Sequence, residues 1–329
     1  MAHQDRDRLR QTWTALQRAE TLLFQAAAVR NKASFSNLFE GVELEEPGRG
    51  LLIRMACGLD TQRLTPQDYL NRYPFSSAAV IQDEMNTLAS GGYLSANGDR
   101  HYQLTHRGQS MVRQWMGRVG TLMQSLALED FSKRDVRALL AYDRRIIAGI
   151  EASFRPHGSP IFRHRLRGLH PCYDPPALWH HWQYVWTLLA ASEDEEEFVR
   201  WQRGIPPLVW FARRQLWFRV RRPWRMRVFS VEDLAGRAAG YSPLLEAETA
   251  CRSAVNELIE RGWAIDENGR LSLTARGLAA CDADETIIET YFLRTWPPFE
   301  NEEVDKLNGL VECLTAALES LLSQQFAAV

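Results

Sequence analysis

The segment Met85-Asn-Thr-Leu-Ala-Ser-Gly-Gly-Tyr-Leu94 returns 170 residues later as Val255-Asn-Glu-Leu-Ile-Glu-Arg-Gly-Trp-Ala264. Downstream, Leu104-Thr-His-Arg-Gly108 is answered by Leu273-Thr-Ala-Arg-Gly277 at an offset of 169. Upstream, Leu51-Leu-Ile-Arg-Met55 is answered by Leu216-Trp-Phe-Arg-Val220, and Thr65-Pro-Gln-Asp68 by Ser230-Val-Glu-Asp233, both at an offset of 165. About sixty residues are therefore duplicated, with one five-residue insertion. A structure assigned to one copy has to fit the other, which removes most alternatives.

Both copies read in the same order. A first helix covers about 49–59 in one and 207–222 in the other, the second opened by Pro206-Pro207. A short helix follows, capped by the hydroxyl of Thr65 or Ser230. The third helix spans about 76–90 and 245–261, with Ile81, Met85 and Leu88, and equivalently Cys251, Val255 and Leu258, at helical spacing toward a core. Gly92 and Gly262 end it, because glycine takes the left-handed conformation without a steric penalty. Asn97-Gly98 and Asn268-Gly269 then suit tight hairpin turns, the first expected to be the tighter, and a helix restarts after each Leu-Thr. The fold class expected is mainly α with small β-hairpin wings, two winged helix-turn-helix units joined and flanked by helices. The chain divides as 1–48 (N-terminal helix and connector), 49–128 (first unit with a long C-terminal helix), 129–206 (Trp-rich helical linker), 207–296 (second unit) and 297–329 (C-terminal helix).

The run from Leu88 to Gly108, with its Gly-aromatic step and its Tyr102-Gln-Leu-Thr-His-Arg-Gly108 ending, resembles the MarR and PadR groups of bacterial winged-helix transcription regulators. The second half, from about Trp179, also looks like an actinobacterial winged-helix family with a Trp-containing helix ahead of an Arg-Gly-Trp wing. The first resemblance implies a regulator of double-stranded DNA, with the third helix in the major groove and the wing beside it; the scattered cysteines make the cytoplasm the expected compartment. Terminal helices form the dimer in such families; here those at 5–30 and 302–325 are expected either to join the two copies into a single-chain pseudo-dimer or to serve a homodimer.

On that reading the DNA-facing residues of the first copy are Ser76, Ser77, Gln82 and Asn86, with Arg100 and His101 in its wing. In the second copy they are Thr249, Arg252, Ser253 and Asn256, with Arg270 in the wing. Gln and Asn can bond bidentately to adenine and Arg to guanine. The same polar residues also suit any solvated helix face. Asp83, Glu84, Asp266 and Glu267 would repel phosphate, which leaves open a protein-interaction module whose winged units do not bind DNA.

Residues 200–227 hold nine arginines, no acid and four interleaved tryptophans. Arg213, Arg214, Arg221 and Arg222 are candidate phosphate contacts; alternatively they snorkel or pair with the acidic run 193–197. That run reads as a helix start, with Ser192 as N-cap and Glu195 in a capping box. Residues 155–176 read as irregular, and the stripe through Trp179, Trp182 and Trp186 as core or as the wall of a pocket for a small apolar or aromatic effector.

The net charge of −2 gives no global pull toward nucleic acid. Five scattered cysteines without a C-x-x-C pair argue against a disulfide framework and a thiolate zinc site. His164, His170, Cys172, His180 and His181 match no common zinc spacing. No nucleotide-binding loop, nucleophile elbow or H-E-x-x-H motif occurs, so neither enzyme chemistry nor a cofactor is expected. No apolar run is long enough to span a membrane.

Overall fold

The computed structural model describes residues 3–30, 48, 51–53, 55, 64–72, 77–98, 101–124, 126, 128, 130–153, 155, 158, 160–167, 178–224, 228–241 and 247–326. Over these the chain is mainly helical. Helix α1 (His3–Arg30) comes first, then buried helical residues Leu51, Leu52, Ile53 and Met55. Next are α2 (Pro66–Arg72), α3 (Ala78–Ser90), the hairpin β1 (Leu94–Ala96) with β2 (Tyr102–Leu104), and α4 (His106–Gln124). Helices α5 (Lys133–Ala152), α6 (Pro160–Arg167) and α7 (Leu178–Gln202) follow. The second series is α8 (Pro207–Arg221), α9 (Val231–Tyr241), α10 (Ala247–Glu260), β3 (Ala264–Glu267) with β4 (Arg270–Leu273), α11 (Ala275–Leu293) and α12 (Asn301–Phe326). Among the described residues no helix is long and apolar enough to cross a membrane.

The duplication holds down to single hydrogen bonds. Thr65 caps α2 in a reciprocal box with Asp68, its N–H donating to the carboxylate at 2.8 Å while Asp68 N–H donates to Oγ1 at 3.1 Å. Ser230 and Asp233 repeat this at 3.1 and 3.2 Å ahead of α9. Gly92 and Gly262 have φ of 74° and 69°, as expected for residues that end a helix in the left-handed region. Thr105 Oγ1 donates to Gly92 O and Thr274 Oγ1 to Gly262 O, both at 2.7 Å. The same hydroxyls accept from the amides of Gly108 and Gly277, at 3.1 and 3.0 Å. The Leu-Thr-x-Arg-Gly motif thus ties the end of each hairpin back to the preceding helix and starts the next one.

The hairpins differ for a reason visible in their register. Ala264 pairs with Leu273, which centres a two-residue turn on Asn268-Gly269, both at positive φ (56° and 83°). Leu94 pairs with Leu104, one residue farther along, so no two-residue turn fits. The ladder instead closes with Asn97 N–H donating to His101 O at 2.9 Å. The second hairpin is therefore the tighter, against expectation; the change of offset from 170 to 169 is this one residue.

The chain forms two compact units. One comprises Met1–Gly41, Arg113–Glu195 and Glu289–Val329, the other Val42–Val112 and Glu196–Ile288. The segments 1–48, 129–206 and 297–329 thus contribute largely to one helical unit instead of standing apart. Within it, α1 and α12 run parallel: Arg8 pairs with Asp305, Thr12 Oγ1 donates to Asn308 Oδ1 at 2.6 Å, and Arg18 pairs with Glu319. Helix α5 meets α7 through Asp143 and His181, and Arg144 Nε donates to Tyr184 Oη at 3.1 Å. Helices α4 and α11 share the repeat offset of 169, 106–124 against 275–293, and α5 and α12 start 168 apart. Each pairing therefore joins the leading helix of one copy to the closing helix of the other. The structural repeat covers far more of the chain than the sixty matching residues.

Two expectations about the linker are corrected. Residues 155–176 contain α6, and the acidic run does not start a helix but lies inside the 25-residue α7. Asp194, Glu195 and Glu196 make tertiary contacts, and Glu197 a local one along α7. Asp194 caps α6, accepting from Ile161 N–H and Phe162 N–H, each at 3.0 Å. Glu196 accepts from Trp210 Nε1 at 2.7 Å, and Glu197 pairs with Arg200.

Candidate nucleic-acid interface

Helix α10 divides cleanly by face. Cys251, Ala254, Val255 and Leu258 are buried, while Thr249, Arg252, Ser253 and Asn256 are exposed one helical turn apart. Arg252 lies 3.0 Å from Glu248 and 3.5 Å from Glu232, all three well exposed. Such pairs are weak in water, so a phosphate or a base can displace them. In the adjoining hairpin, Arg270 is exposed, its guanidinium 5.4 Å from the Phe229 ring centre. Arg219 donates to Leu271 O at 2.7 Å and holds the root of β4; burial, then the positive Arg270, lower its pKa.

The first copy is arranged differently. Ser77 is exposed but caps α3, accepting from Val80 N–H at 3.3 Å. Gln82 and Asn86 are tied to the hairpin: the Tyr102 hydroxyl donates to Asn86 Oδ1 at 2.6 Å, and Gln82 Nε2 donates to both of those oxygens. Asn86 stays exposed, and Gln82 and His101 are half-buried. Asp83 is exposed beside them, and burial together with Asp83 raises the pKa of Glu84. Ser76 and Arg100 lie outside the described residues.

The arginine-rich stretch turns inward, which removes Arg213, Arg214 and Arg222 from the DNA-facing set. Arg213 is 1% exposed; it donates to Asp284 at 2.6 Å and stacks 4.5 Å from Trp210 and 4.9 Å from Trp263. Arg214 pairs with Glu285 and Glu196 and stacks on Trp217 at 4.8 Å. Burial disfavours its charge, but the two carboxylates outweigh that and hold its pKa above the ordinary value. Arg222 is buried against the same Glu285. Arg221 alone of the four is exposed, and it is paired with Asp282. A charge removed from water needs a partner. The decisive partners are Asp282, Asp284 and Glu285 on α11, which the sequence reading passed over in favour of 193–197.

Trp179 and Trp182 are buried, with ring centres 5.2 Å apart and nearly parallel planes. Trp186 lies 4.4 Å from Trp182, and Phe24 stacks on Trp182 at 6.5 Å. These rings cover one another as core packing does.

Two buried polar clusters were not foreseen. Asp143 and His181 are fully buried and joined at 2.7 Å, and burial pushes the Asp143 pKa up. Arg155, also buried, lies 3.8 Å from Asp194 and 3.5 Å from Glu195; burial raises the Glu195 pKa to about 7. Their one sequence signal is ionisable residues at apolar spacing on α5 and α7.

Comparison with protein-family models, with curated proteins and with solved structures finds no match for this chain.

Proposed function

We propose that this protein binds double-stranded DNA through tandem winged helix-turn-helix units and acts as a transcription regulator, with the two units in one chain standing where two subunits stand in a dimer. The observation that carries the reading is the duplicated helix-helix-hairpin-helix scaffold presenting Thr249, Arg252, Ser253 and Asn256 on an exposed helix face with Arg270 in the adjoining hairpin. Bidentate contacts from Arg252 and Asn256 suit base edges, and Arg270 suits phosphate. The cross-paired helices α1 with α12 and α5 with α7 support the pseudo-dimer, since they exchange partners between copies as subunits do. The Trp179–Trp182–Trp186 stack contributes packing, and no effector is assigned to it.

One observation favours the second reading, a protein-docking module: three of the four arginines counted toward phosphate are buried in ion pairs. Titration of the full chain with labelled random-sequence and genomic duplexes separates the two. DNA binding predicts affinity falling linearly on a log-log salt plot. It also predicts weakening of about tenfold or more by Arg252→Ala at a specific site. Binding unaffected by salt, or no binding to any duplex at low salt, would sink the DNA reading in favour of docking.

A further inference from the structure

We infer that the two units read unlike half-sites, so that the preferred duplex is not a palindrome: one half is chosen by an arginine fork, the other by an amide side chain. This rests on the DNA reading above and names the class of duplex.

Duplication has kept the scaffold and changed the face. The capping boxes, the left-handed glycines and the threonine bridges recur with hydrogen bonds matched to about 0.3 Å or better. At the offset of 170, by contrast, the outward positions of α3 and α10 pair Ala79 with Thr249, Gln82 with Arg252, Asp83 with Ser253 and Asn86 with Asn256. Three of these four differ in chemical class, although the core positions Ile81, Met85 and Leu88 are answered by the apolar Cys251, Val255 and Leu258. A homodimer presents two copies of one face and so selects a two-fold symmetric site. This chain presents two different faces on one scaffold.

The chemistry of each face points to a different base. Arg252 offers a planar fork of donors that fits guanine O6 and N7, while in the first unit Gln82 turns inward, its Nε2 bound to Tyr102 and Asn86, and leaves the exposed Asn86 amide as the group that can meet a base edge such as adenine. Ser253 is compatible with any base, whereas Asp83 accepts only from a donor such as the cytosine amino group and repels phosphate. Even the identical pair is set differently. Asn86 is clamped by the Tyr102 hydroxyl, but the position matching Tyr102 is Leu271, which has no hydrogen-bonding group to hold Asn256. The amide face of the first unit is thus fixed in advance by its own wing. On the face of the second, Arg252 is held by exposed, exchangeable ion pairs.

Selection from a random duplex pool with the full chain, followed by sequencing of the bound fraction, tests this. The expected motif has two dissimilar halves. Arg252→Ala should flatten one half at a guanine by about tenfold. Asn86→Ala should flatten the other half and leave the first intact. Gln82→Arg, which gives the first unit the residue of the second, should move the motif toward two-fold symmetry. A palindromic motif from the natural chain, or variants of both units altering the same half, overturns the inference while leaving DNA binding standing. No enrichment of any duplex overturns DNA binding and the inference with it.

Discussion

The α-carbon of Gly277 lies against the backbone carbonyl of Trp263 so closely that a β-carbon there would fall well inside van der Waals contact with that oxygen, and Gly108 stands in the same relation to Tyr93. In both copies the obstacle is backbone held by the threonine bridge, not a side chain free to rotate. The fourth helix of each unit therefore approaches its hairpin at a distance only glycine allows.

Gly108→Ala and Gly277→Ala should each destabilise the fold by about 1–3 kcal/mol, the range for overpacking a site that cannot relax. Gly309, mid-helix in α12 with open space where a β-carbon would go, is the control. Gly309→Ala should stabilise by roughly 0.5–1 kcal/mol from helix propensity alone. Urea midpoints measured on the three variants check both signs.

Glu285 accepts from Arg214 and Arg222, and all three side chains are buried. Glu285→Gln removes the charge that offsets two guanidinium groups and should cost about 3–5 kcal/mol, as when one partner of a buried ion pair is deleted. Arg221→Ala, which removes an exposed partner of Asp282, should cost no more than about 1 kcal/mol. Comparable losses in chemical denaturation would mean that the inward arginines are solvated.

Glu195 supplies a pH dependence with a definite sign. Burial lifts its pKa from 4.5 to about 7, Arg155 opposing and Asp194 adding to the rise. A carboxyl whose folded pKa lies above its unfolded value binds its proton more tightly in the folded state. Its contribution is complete below pH 4.5 and fades as pH rises through about 7. The full difference corresponds to about 3 kcal/mol. The natural chain should lose stability relative to Glu195→Gln between pH 5.5 and 8, as read from thermal midpoints of both proteins across that window. Parallel curves for the two would exclude a neutral, buried Glu195.

What was legible in the sequence is what only particular residues can do. Gly92, Gly262 and Gly269 take positive φ, Thr65 and Ser230 open helices, and Asn268-Gly269 turns a hairpin; each task leaves its residue as a trace. Composition gave a poorer guide to direction. The nine arginines of 200–227 read equally well as a surface or as an interior, because what decides is the carboxylates of α11, some seventy residues on. Ser192 and Glu195 fit a capping box by spacing, but Glu195 sits 2% exposed against Arg155, and α7 runs through unbroken. Of the candidate interface, the exposed positions of α10 were legible from periodicity. The clamp of Gln82 and Asn86 by Tyr102 was not, since it depends on where the hairpin returns.

The parallel seating of α1 against α12 also sets a timetable. Thr12 waits for Asn308, 296 residues later in synthesis. At roughly 5–20 residues per second, that leaves the strip of α1 that α12 covers, from Arg8 to Arg18, without its partner for on the order of 15–60 seconds. The duplicated units can each close locally in that interval, but the helical unit can be completed only last. A chain stalled before α12 would leave Thr12 and Arg18 of α1 without the helix that pairs with them.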